Sequence, residues 1–224
     1  MAVIAFVLCL ASLCVNVPTR VLHVENVPFD HLLDVIQEGN IPTYFSTVIL
    51  ALAALLLWVV AAGVGSDDPR GARPWKALSL IFLYLSVDEA SQLHELSRRI
   101  PKHWLPDWGI LHWPWVIIGT VGVIALILGF CRFLKQLQKD TRVGIIVAGA
   151  IFIGGALGLE LVGASLISSD GPQLALVIEE TVEEFMEMTG VILFINALLL
   201  HITRHLPPIQ LRVLPTDPVG ETEE

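Results

Sequence analysis

Residues 42–63, PTYFSTVILALAALLLWVVAAG, form an apolar run that contains no charged side chain. An α-helix rises about 1.5 Å per residue, so a run of this length crosses the hydrocarbon core of a bilayer. Five further windows meet or approach the same length, at residues 2–17, 76–97, 113–131, 143–167 and 174–201. The pattern predicts an all-α, polytopic integral membrane helical bundle with about six transmembrane helices.

The composition of the chain agrees with a bilayer as its solvent. Of the 224 residues, 54% are hydrophobic and 16% are charged, and the mean hydropathy is +0.72. The net charge of −9 argues against a nucleic-acid partner, which would require a basic surface. The three cysteines form no C-x-x-C pair and predict neither disulfides nor a zinc ribbon. We expect one transmembrane domain over residues 1–205 and a disordered cytoplasmic tail over residues 206–224.

The basic residues in the loops predict how the chain is oriented in the membrane. Nine basic residues lie on one side of the predicted membrane and four on the other, which predicts that the N and C termini lie in the cytoplasm.

Residues 28–38 alternate apolar and acidic side chains and predict an amphipathic helix that ends at Gly39. In the fifth window Ala150, Gly154 and Gly158 are spaced at four residues, which predicts close packing and a central position for this helix.

Acidic residues interrupt the third, fifth and sixth windows. An ionised side chain in the hydrocarbon costs several kcal/mol, so such residues are rare and usually face the interior of the bundle. At about 100° per residue, the five glutamates of the sixth window fall on one stripe. In the third window Asp88 and Glu95 share a face, whereas Glu89 and His94 lie on opposite flanks. We interpret Glu89 as a partner for Arg98 or Arg99.

Acidic residues on different predicted helices lie at similar depths in the membrane, in the outer half of the bundle. Counted from the cytoplasmic ends, Asp88 matches Glu187, Glu160 matches Glu183, and Glu95 matches Glu180. Glu179 and Glu180 also have a plainer interpretation, as solvated acids in the first turn of a helix. The sequence predicts one shared site, whose candidate residues are Asp88, His94, Glu95, Glu160, Glu180, Glu183 and Glu187.

Carboxylates placed side by side in a poor dielectric require either protonation of several of them or a cation among them. An oxygen-rich set with one imidazole suits a divalent metal ion, of which Mn, Fe, Zn and Ca are candidates. We favour divalent metal binding, extending to a membrane metalloenzyme. A proton- or cation-coupled transporter is one alternative, and an accessory or pigment-binding subunit of a larger membrane complex is another. No H-E-x-x-H, G-x-S-x-G or P-loop motif assigns catalytic residues.

Three motifs carry a resemblance to a known group of proteins. They are Glu38-Gly-Asn-Ile-Pro-Thr43, Asp88-Glu-Ala-x-x-x-His94-Glu95 and Glu179-Glu-x-x-Glu-Glu-x-x-Glu-Met188. In these motifs the chain resembles a family of uncharacterised bacterial multi-pass membrane proteins, sometimes loosely labelled as transporters. The resemblance covers nearly the whole chain and implies the bacterial inner membrane as its location. The expected partners are the lipid bilayer and either other membrane proteins or further copies of the chain.

Overall fold

The computed structural model describes residues 1–65, 68–93 and 114–206, and within these ranges every regular element is helical. Two helical stretches have the wider π-helical geometry, and all others are α-helices. The elements in chain order are α1 (Ala2–Asn16), a π-helical turn (Val17–Val21), α2 (Asp30–Leu33), α3 (Ile41–Gly65), α4 (Ala72–Ser91), α5 (Pro114–Gln136), α6 (Lys139–Ile153), a π-helical segment (Gly154–Leu159), α7 (Glu160–Ser168) and α8 (Gln173–His205).

Five helical stretches in the described ranges are long and apolar enough to cross a membrane. Large apolar side chains on them are exposed, including Val3 at 75% and Leu128 at 72%, as expected for helix faces in contact with lipid. The five stretches are Ala2–Val21, Ile41–Gly65, Val116–Gln136, Lys139–Ser168 and Gln173–His205. The chain is therefore a multi-pass membrane protein.

The third predicted span corresponds to α4, which does not belong to this set of five. Every 18-residue stretch of α4 contains Lys76, Asp88 and Glu89, and these charged side chains interrupt the apolar run that a span requires. Six transmembrane helices therefore stay a prediction, as does the cytoplasmic location of both termini.

The central helix is α8, and the prediction of a central fifth span is wrong. Helix α8 packs against α1, α3, α6, α7 and the π-helical segment. In an apolar 18-residue stretch of α8, 44% of the residues are buried, compared with 17% in such a stretch of Lys139–Ser168. The reason is that α8 buries large side chains along its length, including Met188, Phe194 and Leu198.

Glycines bring the fifth span close to α8, but of the predicted series only Gly154 lies at the contact, where a Cβ atom would lie 3.2 Å from Cε of Met186. A Cβ atom placed on Gly144 would lie 2.8 Å from the Cβ of Ala197, and one on Gly155 would lie 3.0 Å from the carbonyl oxygen of Glu183. Gly158, by contrast, has open space around it. The π-helical segment explains the difference, because its wider turn rotates the contacting face away from the regular spacing of four.

Residues 22–40 fold against the end of α1 instead of forming the predicted amphipathic helix over residues 28–38. Helix α2 is only four residues long, and Asp34 follows it in an extended conformation. The Asp34 carboxylate, 2% exposed as a residue, accepts hydrogen bonds from Asn16 Nδ2 at 2.6 Å and from the backbone N–H of Ile36 at 2.9 Å. A buried acid with these donors stabilises a turn, which ends the helical periodicity.

The motif at residues 38–43 is a turn and a helix cap. Gly39 has a φ of +79°, which a residue without Cβ adopts at little cost. The Oδ1 of Asn40 accepts a hydrogen bond from the backbone N–H of Thr43 at 3.2 Å and so caps the first turn of α3. The Nδ2 of Asn40 lies 2.5 Å from the carbonyl oxygen of Asp34 and fixes the preceding turn.

Candidate functional site

Glutamates from three helices gather beside the first turn of α7 and the first half of α8, an arrangement that we call the acidic cluster. Helix α8 contributes its acidic stripe, α7 contributes Glu160 at its first residue, and α4 contributes Glu89. The charge of Glu160 acts on four glutamates of α8, so these side chains share one environment. The members of the cluster are Glu89, Glu160, Glu179, Glu180, Glu183, Glu184 and Glu187.

The contribution of α4 to the site comes from Glu89. Glu89 and Glu187 line one cavity between α3, α4 and α8, together with Ser46 and Phe152 among other residues. The charge of Glu89 also acts on Glu187. The cavity has a volume of about 10 Å³, close to the smallest space that holds one water molecule.

The helical wheel of the sequence places Glu89 on a flank, whereas the structure turns it towards α8. The reason lies in how α4 packs on α3. The hydroxyl of Ser79 donates to the carbonyl oxygen of Ala54 at 2.7 Å, and that of Ser86 donates to the carbonyl oxygen of Thr47 at 2.9 Å. Glu89 follows Ser86 by three residues and lies on the same face. A polar stripe at positions 79, 86 and 89 was the signal for this orientation.

The predicted site residues, which did not include Glu89, divide into three groups. Glu160, Glu180, Glu183 and Glu187 are brought together in the acidic cluster. Asp88 lies on α4 beside Glu89, is half-buried, and is not among the residues that line the cavity. His94 and Glu95 lie outside the described residues, so their place in the site stays a prediction.

Glu179 has the smallest exposed fraction in the cluster. Its residue exposure is 8%, so its interpretation as a solvated first-turn acid is wrong. The carboxylate packs against Gly163 of α7, and the buried Oε1 atom has no hydrogen-bond partner within the described residues. A Cβ atom on Gly163 would lie 2.7 Å from Oε2, so the absence of a side chain there leaves the carboxylate its space.

Arg20, in the π-helical turn after α1, places a positive charge at the edge of the cluster. Its Nη2 lies 3.1 Å from Asp34 Oδ2, and its Nη1 lies 3.9 Å from Glu180 Oε2. The sequence alone does not assign Arg20 or Asp34 to the site, because Arg20 counts as a loop charge and Asp34 falls in the predicted amphipathic helix over residues 28–38. The available signal was the spacing of Ser12, Asn16 and Arg20 at four residues, which forms a polar stripe on an apolar span.

In residues 1–65, 68–93 and 114–206, no group of three or more His, Cys, Asp or Glu side chains is arranged to hold a metal ion. The carboxylates of the acidic cluster are close enough to influence one another's charge but do not converge on one point as ligands do. Such an arrangement in a poor dielectric favours the uptake of protons, since one proton on one carboxylate already relieves the repulsion.

Comparison with known proteins gives a family and no nearer relative. Neither the curated proteins nor the solved structures contain a match to this chain. One family model matches residues 1–202, a range that includes α1 to α7, nearly all of α8 and the whole acidic cluster. The chain therefore belongs to the family described as Domain of unknown function (DUF8692).

Proposed function

We propose that this membrane protein binds and releases protons at the acidic cluster, as the coupling site of a proton- or cation-coupled transporter. The observation that carries the proposal is the meeting of glutamates from α4, α7 and α8, with Arg20 at the edge of the cluster. Ionisable side chains inside a membrane domain commonly form proton relays or ion pathways. Carboxylates on different helices also link the protonation state of the site to the packing of those helices.

Glu89 and Glu187 are the pair through which we expect the proton to pass. They face one cavity that has room for about one water molecule, and they belong to different helices. A proton shared by this pair, directly or through one water molecule, removes the repulsion between them. Release of that proton restores the repulsion and favours separation of α4 from α8.

Infrared difference spectroscopy tests the proton-binding part of this proposal. Purified protein in lipid is titrated, and the carboxylic C=O band is compared between wild type and Glu187→Gln. We expect a titrating band in wild type that loses intensity in the variant. Asp170→Asn is the matched control, because Asp170 is exposed and has a φ of +50°, which asparagine also adopts. A band that is the same in Glu187→Gln and wild type would refute the assignment.

Flux measurements test the transport part. Liposomes that contain the protein and an internal pH-sensitive dye are given a pH gradient, with K⁺ or Na⁺ as the counter-cation. We expect proton movement above that of empty liposomes, its loss in Glu187→Gln, and its retention in Asp170→Asn. Rates equal to those of empty liposomes for wild type with either cation would overturn this part.

Divalent metal binding is the second candidate, and the Oε1 atom of Glu179 is the observation that favours it. A buried carboxylate oxygen without a hydrogen-bond partner is a position that a cation satisfies. The described carboxylates alone do not fit a metal site, so this candidate depends on His94 and Glu95 as further ligands. Elemental analysis of wild type and Glu187→Gln tests it. A stoichiometric metal that the variant loses supports this candidate, and no metal in either protein rejects it.

A further inference from the structure

One face of α8 carries a regular series of residues that the described helices leave partly exposed. Their spacing alternates between three and four residues in the second half of the helix and is seven before it, as in a heptad repeat. All of them are exposed except Thr189, which is half-buried. We call this series the α8 seam, and its members are Val182, Thr189, Leu193, Asn196, Leu200 and Thr203.

Asn196 is the unusual member of the seam. It lies near the middle of residues 188–203, which contain no Asp, Glu, Lys or Arg and so form the most apolar part of α8. Its side chain is exposed and makes no hydrogen bond within the described residues. An amide carries two donor hydrogens and an acceptor oxygen, and leaving them unpaired in hydrocarbon costs several kcal/mol. A lipid tail has no group that could satisfy them.

A crevice between α6 and α8 lies next to Asn196. Its volume is about 140 Å³, close to that of a cavity that accepts a benzene ring. Gly144 and Ala197 approach each other across it, and Val147 and Leu200 line it. Small residues beside the seam provide a recess into which a side chain of another helix fits.

We propose that two copies of this chain dimerise through the α8 seam, with the Asn196 amides of the two copies hydrogen-bonded to each other. Copies inserted in the same orientation are related by a two-fold axis along the membrane normal, so their α8 helices run parallel and position 196 faces position 196. An amide both donates and accepts, which makes it self-complementary across such an axis. One asparagine at a heptad position that faces the partner helix also fixes the register of a helix pair.

Cysteine cross-linking in native membranes tests the dimer. The background replaces Cys14 and Cys131, the two exposed cysteines, by serine. In this background, oxidation of Leu200→Cys is expected to give a disulfide-linked dimer that retains Asn196. The matched control is Leu55→Cys, whose position on α3 is 59% exposed and lies off the seam. A Leu200→Cys chain that cross-links no more than the Leu55→Cys chain would overturn the proposal.

The role of the amide is tested by dilution in lipid, with energy transfer between labelled copies as the readout. Asn196→Leu keeps a lipid-compatible face and is expected to weaken dimerisation by about 3- to 30-fold, the range for one interhelical hydrogen bond in a membrane. Asn196→Gln, which keeps an amide, is expected to recover part of the affinity. Dimerisation as strong in Asn196→Leu as in wild type would show that the amide pair does not form.

Discussion

Replacing Gly190 by alanine is expected to separate α8 from the end of α6. A Cβ atom at Gly190 would lie 2.7 Å from the Cβ of Phe152, 2.8 Å from its backbone nitrogen and 2.9 Å from its Cα. Two of these three atoms belong to the backbone, so rotation of the phenylalanine ring cannot relieve the contact. The two helices must move apart at the centre of the bundle.

The expected change in the free energy of unfolding of Gly190→Ala is the sum of two opposing contributions. Overpacking of this kind costs about 1–3 kcal/mol of unfolding free energy. Alanine, on the other hand, favours a helix over glycine by about 1 kcal/mol. The net loss expected for Gly190→Ala is therefore about 0–2 kcal/mol.

Gly149→Ala isolates the steric term. Gly149 lies on α6, and a Cβ atom there would meet nothing within 4 Å. This variant carries the helix-propensity gain alone and is expected to be more stable than wild type by about 1 kcal/mol. Because the gain in helix propensity is common to both variants, the free energy of unfolding of Gly149→Ala should exceed that of Gly190→Ala by about 1–3 kcal/mol.

The assay is reversible unfolding in mixed micelles with increasing denaturing detergent, followed by circular dichroism. The free energy of unfolding is compared among wild type, Gly190→Ala and Gly149→Ala under one set of conditions. Equal stabilisation by both substitutions would mean that α8 and Phe152 are not in contact at Gly190, which would refute the packing of α8 described above.

Three further predictions use the same unfolding measurement. Asp34→Ala is expected to lower the free energy of unfolding by about 3 kcal/mol. This is the low end for breaking a buried ion pair, because the side chain of Arg20 is 29% exposed. A loss no larger than that caused by Asp34→Asn would contradict this prediction. Asn40→Ala removes the cap of α3 and should cost about 1–2 kcal/mol. Thr141→Val removes the hydroxyl that lies 3.0 Å from Nδ1 of the buried His201 and should cost about 1–3 kcal/mol. Unchanged stability in either of the last two variants would argue against the corresponding hydrogen bond.

The class of fold could be predicted from the sequence because it depends on length and hydrophobicity alone. An apolar run such as residues 42–63 must satisfy its backbone hydrogen bonds internally and can do so only as a helix in a bilayer. The acidic stripe of α8 was also predictable, since the glutamates lie on one helix and their mutual angles follow from its geometry. For the same reason Glu183 and Glu187 could be assigned to one face.

The identity of the residues that meet this stripe was decided by tertiary structure. A helical wheel gives angles within one helix but not the rotation of that helix about its own axis, which is fixed by contacts such as the bond from Ser86 to α3. That rotation turns Glu89 towards Glu187. Arg20 reaches Glu180 because the chain folds back at Asp34, a contact between residues far apart in sequence. Local patterns determine which helices form, whereas long-range packing determines which side chains share a site.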